Sequence, residues 1–348
     1  MLKAFISTPL EQEQVDRIRN AAEGRVEVIH EPVLLPPMRY QGDHKGIDGY
    51  IRTPELRARF LRHLAEAEFL FDMPPLHMLP TRDLSFTPNL RWVQTTSSGV
   101  GSMVEALGMK GSGVHVTTAR GIHAVPLAEF ALMAILMHVK AVARLRVDQC
   151  AHRWTRHCGE SLSGKRVAIV GAGEVGHRVA EVCRFHGMHV AAMSRTLTPE
   201  TGRKRGYDEV FTRTDLVRVA SESDAIVLAV PHTPETDAMI DRSVIAAIRP
   251  DAVIVNIARG QVVDEPALIE ALQVGAIGFA ALDVATVEPL PDESPLWDLP
   301  NVLISPHSAS TVRQENSLIT DLFIHNMRCL LRNEPDKMRN RFNMEAGY

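Results

Sequence analysis

The stretch RVAIVGAGEVGHRVAEV, residues 166–182, limits what this chain can fold into more than any other segment. A β-branched run stops at Val170, Gly171, Gly173 and Gly176 follow in GxGxxG spacing, and a helical pattern opens immediately. Strand, tight turn and helix N-terminus in that order place backbone N–H groups and the helix dipole where they can hold a pyrophosphate. A lone GxGxxG carries little weight; in this context it points to dinucleotide binding.

Around the motif, short apolar runs alternate with helical patterns. The expected strands are 166–170, 189–193, 225–230, 252–257, 278–284 and 302–305, and the expected helices 174–186, 214–221, 241–248 and 264–274. Strands that are apolar on both faces, alternating with helices, imply a parallel sheet covered on both sides. The first part of the chain repeats a looser version, with strands at 3–7, 26–30, 69–71, 91–96 and 115–119 and helices at 10–22 and 54–67. At 348 residues the chain is long enough for two such domains. The Pro- and Gly-rich stretch 31–50 reads as an ordered loop or arm. One long helix, apolar around most of its circumference, is expected from Pro126 to about Arg153, packed between domains or subunits.

A formal charge of -4 argues against a broad nucleic-acid-binding face. The apolar segment Phe130–Val147 is interrupted by His138, Lys140, Arg144 and Arg146, which argues against a membrane span. Cys150, Cys158, Cys183 and Cys329 are scattered, and the start MLKAFISTPL lacks a secretory pattern, so reduced thiols in a cytoplasmic protein are expected. His152, His157 and Cys158 could be drawn as a metal cluster, but that spacing reads as surface, and no metal is expected.

The cofactor should be NADP(H), with NAD(H) possible. NAD enzymes usually place an acid about 20 residues beyond the glycines, on the ribose 2′-hydroxyl. Here Ser194 occupies that place, Arg195 follows, and Arg203, Lys204 and Arg205 lie close behind. A serine hydroxyl and an arginine fork suit a 2′-phosphate that an acid would repel.

Arg259, Glu288 and His307 fall at or near the C-terminal ends of successive strands, the edge where open α/β sheets bind ligands. Singly, each has an ordinary explanation as an ion pair, a solvated carboxylate or a turn histidine. Beside a dinucleotide site, together they supply what hydride transfer to a 2-oxo acid requires.

The order of RWVQTTSSGVG, GAGEVG, VPHTPETDAMI, NIARGQVVDEPALIEAL, LDVATVEPL and LWDLPNVLISPH resembles the D-isomer-specific 2-hydroxyacid dehydrogenase family over about residues 85–310, notably its glyoxylate/hydroxypyruvate reductase branch. The first 80 residues match in general pattern only, and Gly347–Tyr348 is similar to the ending of some members. The resemblance implies two Rossmann- or flavodoxin-like α/β domains with parallel sheets, a site in the cleft between them, and a homodimer. Residues 122–308 would bind the cofactor, and 1–121 with 309–348 the substrate.

It further implies an Arg259, Glu288 and His307 active site. Arg259 would hold the substrate carboxylate and stabilise the developing alkoxide. His307 would pass the proton, and Glu288 would fix its tautomer and favour its charged form. Asp283 would hold the nicotinamide carboxamide, and the amides of Ser98, Gly99 and Val100 the substrate carboxylate. Val230, Pro231, Ile257 and Ala258 would line the cofactor, and Glu174, Val175, Thr196 and Thr236 complete the expected contacts with Gly171, Gly173, Gly176, Ser194, Arg195, Arg259, Asp283 and His307.

Gly101 departs from the family's usual acid in that loop, and His232 is given no catalytic role. Phe71, Met73, Leu76 and Met78 are candidates for a substrate side chain, at least half of them expected in the core instead. Glyoxylate, hydroxypyruvate or a bulkier 2-oxo acid is the expected substrate. An NAD-dependent phosphoglycerate dehydrogenase relative, and a nucleotide-sensing corepressor on the same fold, are the alternatives.

Overall fold

The computed structural model describes residues 1–345, so Gly347–Tyr348 lies outside the described residues. The chain divides into two compact units: unit 1 is Met1–Ile122 with the C-terminal segment from Thr311, and unit 2 is His123–Ser310.

Unit 1 holds strands Leu2–Ile6 (β1), Val26–Ile29 (β2), Phe69–Phe71 (β3), Trp92–Gln94 (β4) and His115–Thr117 (β5). All pairings are parallel, in the order β2-β1-β3-β4-β5. The two-residue period of a strand sends neighbouring side chains to opposite faces. Phe5, Leu70, Val93 and Val116 therefore pack on one face, against Phe60 and Leu64 of helix Pro54–Glu66. Ala4, Ile6, Phe71 and Trp92 pack on the other, against helices Gln12–Ala21 and Glu315–Leu331. Trp92 stacks on Phe323 with ring centroids 4.6 Å apart and donates its indole N–H to Thr117 Oγ1 at 2.8 Å.

The 31–50 loop is organised by Asp43, whose carboxylate accepts from the Arg39 amide, the Arg39 guanidinium and the amides of Lys45 and Gly46. Burial alone would raise this carboxyl, but those donors outweigh it and hold it well below the usual carboxylate range.

Unit 2 holds Arg166–Val170 (β6), His189–Met193 (β7), Glu209–Phe211 (β8), Ala225–Leu228 (β9), Val253–Asn256 (β10), Phe279–Leu282 (β11) and Val302–Ile304 (β12). They form a parallel sheet in the order β12-β11-β10-β9-β6-β7-β8, with an apolar layer on each face. The short edge strand β8 is absent from the sequence reading. Its Glu209 pairs with Arg166 and Arg218, so the segment lacks the apolar run that marks its neighbours.

The long helix expected from Pro126 to about Arg153 does not form as one element. It is two helices, Ala124–Val139 and Val142–Cys150, bent by 62° at a break where Ala141 adopts a left-handed φ of 51°. The first buries Ala128, Ala131, Ala134 and Ile135 in the unit 2 core. The second buries only Asp148 and exposes Leu145 and Val147, so all-round burial stops at the break. Among the described residues no single helix is long and apolar enough to cross a membrane.

Candidate active site

In unit 2 the sheet order turns at β6 and β9, and the glycine motif lies there. Gly171 directly follows β6 with φ 116°, and a Cβ on it would lie 2.6 Å from the Ala229 carbonyl oxygen just past β9. A Cβ on Gly176 would sit 1.8 Å from the Gly171 carbonyl oxygen, so only glycine lets the helix approach the strand. Gly173 is different: nothing lies within 4 Å of where its Cβ would be. It caps helix Glu174–Phe185 without a side-chain hydrogen bond, leaving first-turn amides free beside open space. That is the cradle a pyrophosphate needs. Val230, 2.9 Å from the same Gly171 Cβ position, walls the turn, and Thr236 closes the following loop by donating to the Pro231 carbonyl at 2.7 Å.

At the end of β7, Ser194 Oγ accepts from the amides of Thr196 and Leu197 at 3.2 and 3.1 Å, folding the chain back and leaving Arg195 exposed. Lys204 is taken up by Glu200 at 2.8 Å. Arg213, which no sequence motif marks, stands just past β8 and donates to the Glu235 carbonyl. Arg195 and Arg213 both help hold the Glu235 carboxyl low, after its hydrogen bond with Thr233 and a backbone bond, which puts the two guanidiniums near one acid. Recognising β8 would have exposed Arg213, because it stands directly past the end of that strand.

Farther along the same sheet edge, His307 also has a left-handed φ, 51°. Its amide donates to the Asp283 carbonyl at 2.8 Å, and its Nδ1 lies 2.8 Å from Glu288 Oε2. Glu288 Oε1 accepts from the Ala285 amide at 3.1 Å, which fixes the carboxylate. With Nδ1 engaged, Nε2 is the nitrogen left to meet a ligand. Buried Asp283 accepts at Oδ1 from Ser305 Oγ and from the amides of Ser308 and Ala309, at 2.7, 2.9 and 2.8 Å. It therefore organises the turn that carries His307, a task the sequence did not reveal.

Arg259 follows β10. Asn256, also missed, wraps its backbone: Nδ2 donates to the Arg259 carbonyl at 3.0 Å and Oδ1 accepts from the Ala258 amide at 3.0 Å. A Cβ on Gly260 would lie 2.0 Å from the Ala285 carbonyl group, so the Arg259 loop presses directly on the loop leading to Glu288. Ile257 and Ala258 are buried.

In unit 1, Ser98 and Gly99 are exposed and Val100 is buried just before the short helix Gly101–Ala106. Phe71 and Met73 belong to the core. His232 pairs with Asp237 at 2.8 Å.

The description "D-isomer specific 2-hydroxyacid dehydrogenase, NAD binding domain" matches residues 132–309. The chain belongs to this family of oxidoreductases. A hydroxyphenylpyruvate reductase of Plectranthus scutellarioides is 34% identical, over 71% of this chain and 77% of that one. A D-3-phosphoglycerate dehydrogenase of Mycobacterium leprae (strain TN) is 34% identical over 69% of this chain but only 45% of its own length. Among solved structures, a family member from Xanthobacter autotrophicus Py2, in complex with NADPH and MES, is 27% identical with TM-score 0.76, covering 100% of this chain and 99% of that one. The parallel-sheet architecture of both units is that of these dehydrogenases.

Proposed function

We propose that this hydroxyacid dehydrogenase is an NADPH-preferring reductase of 2-oxo acids, glyoxylate, hydroxypyruvate or a larger one, giving the D-2-hydroxy acid. The observation that carries the reading is the 2.8 Å His307–Glu288 hydrogen bond on the sheet edge that also bears the glycine turn and Arg259. Glu288 holds Nδ1 and so orients the ring, and His307 Nε2 delivers a proton to the 2-oxo oxygen. Arg259 holds the substrate carboxylate and stabilises negative charge developing on that oxygen. Bound NADPH supplies the hydride.

Gly171, Gly173, Glu174, Val175 and Gly176 would hold the pyrophosphate, and Val230, Pro231, Thr236, Ile257 and Ala258 would line the rest. Asp283 Oδ2, outside the three bonds made by Oδ1, would take the carboxamide. Ser194, Arg195 and Thr196, joined by Arg213, would read the 2′-phosphate. Unit 1 would serve the substrate, with the amides of Ser98, Gly99 and Val100 on its carboxylate. The exposed Leu145, Val147 and Trp154 support a homodimer that covers them, which light scattering on the eluted protein would test.

The deciding experiment is an activity matrix of NADPH and NADH against 2-oxo acids of increasing size. Preference for NADH would overturn the cofactor assignment. Tight NADPH binding without turnover of any acid would favour a nucleotide sensor.

A further inference from the structure

Unit 1 has a switch point of its own. In the order β2-β1-β3-β4-β5 the connections diverge at β1 and β3, and open parallel sheets hold ligands beyond the C-terminal ends of such a pair. Asp72, directly after β3, adopts a left-handed φ of 66°, a region aspartate enters more readily than most residues. Its amide donates to the Gln94 carbonyl at 2.8 Å and its carbonyl accepts from Ser7 Oγ at 2.8 Å, so its backbone is tied toward β4 and β1.

The carboxylate is committed to the segment that follows β4. Oδ1 accepts from the Thr96 amide at 3.2 Å and Oδ2 from the Thr96 hydroxyl at 2.8 Å. Thr95 Oγ1 secures the next step by donating to the Ser97 carbonyl at 2.7 Å. Two residues beyond Thr96 stands Ser98, the first of the amides assigned above to the substrate carboxylate.

We propose that Asp72 is a positioning residue for substrate: by clamping Thr96 it fixes the direction in which the Ser98, Gly99 and Val100 amides point. This rests on the reading of those amides given under Proposed function. His44 is the ionisable neighbour of the Asp72 carboxyl. Its ring, with Nδ1 3.7 Å from Glu315 Oε1, acts electrostatically on Asp72. Burial outweighs the opposing pull of His44 and the Thr96 bonds, so the Asp72 carboxyl is raised above the usual carboxylate range.

The test compares wild type with Asp72→Gly, Asp72→Asn and Thr96→Val. Glycine keeps the left-handed backbone while deleting the clamp. Asparagine keeps an acceptor for the Thr96 amide, and its own N–H can donate to the hydroxyl. Valine keeps the shape of threonine without its donor. A clamp serving a site that binds ground and transition states alike acts on KM. Asp72→Gly should therefore raise KM for the 2-oxo acid about tenfold or more, with kcat and KM for NADPH nearly unchanged. Asp72→Asn should restore most of the loss, and Thr96→Val should fall between. Calorimetric affinity for oxamate, a non-reduced carboxylate analogue, should weaken in step. Unchanged KM and oxamate affinity in both Asp72→Gly and Thr96→Val, whatever happens to melting temperature, would overturn the proposal and leave the assigned reaction standing. A wild type that reduces no 2-oxo acid would overturn both.

Discussion

Both units are parallel sheets with a switch point, yet the two switch points are built in opposite ways. Unit 2 clears its crevice: Gly171 and Gly176 let backbone meet backbone, and Gly173 leaves a helix N-terminus open. Unit 1 fills its own, with buried Ser7 and Thr8 after β1 and Asp72 after β3. The lesson is that topology says where a ligand can be met, while the side chains there decide whether the backbone itself binds or a neighbouring loop is braced to do so.

The comparison can be broken most forcefully in unit 2. His307→Ala should lower kcat on the order of 10²–10⁴-fold with NADPH binding retained, measured by steady-state kinetics and fluorescence titration. Near-normal turnover would remove His307 from the proton path. Arg259→Lys keeps the charge but loses the fork, so kcat should fall and KM rise together, by tenfold or more in kcat/KM on the order of a lost charged hydrogen bond. Gly176→Ala must displace the Gly171 carbonyl. It should cost about 1–3 kcal/mol of stability and weaken NADPH binding, and a variant matching wild type in both would deny that the open turn matters.

A smaller effect belongs to Arg195→Ala, which should erode the preference for NADPH over NADH by about tenfold while sparing kcat with NADH. Equal losses with both cofactors would place Arg195 elsewhere. The smallest belongs to the loop of unit 1. The Asp43 carboxyl is held low in the folded chain, so the stability it adds is present above about pH 4 and lost as pH falls toward its folded value. Melting temperature followed downward from neutral pH should therefore drop more steeply below that point in wild type than in Asp43→Asn, which starts lower at pH 7.

Much of unit 2 was legible because its chemistry leaves few choices of residue. A pyrophosphate turn demands glycines, and Arg259, Glu288 and His307 stand on local motifs a few residues long. What escaped depended on partners far along the chain. Asp72 sits in FDMPP, where nothing local indicates a left-handed backbone or a partner 24 residues away. Asp283 suggested only a ligand contact, because its bonds run to a turn more than 20 residues on. β8 was hidden by charges that pair across the sheet edge, and Arg213 was hidden with it. The break at Ala141 could not be read because alanine ordinarily favours the helix that stops there.

The stacking of Trp92 on Phe323 carries a consequence for how the chain is made. One face of the first sheet is finished by a helix that emerges only after the whole of His123–Ser310 has been synthesised. At about 5–20 residues per second, the stretch from Trp92 to Phe323 leaves the Trp92 ring uncovered for roughly 12 to 46 seconds on the ribosome. The segment begun second is thus the first able to complete its core, and the segment begun first must wait, with apolar surface in need of protection, for the chain to return.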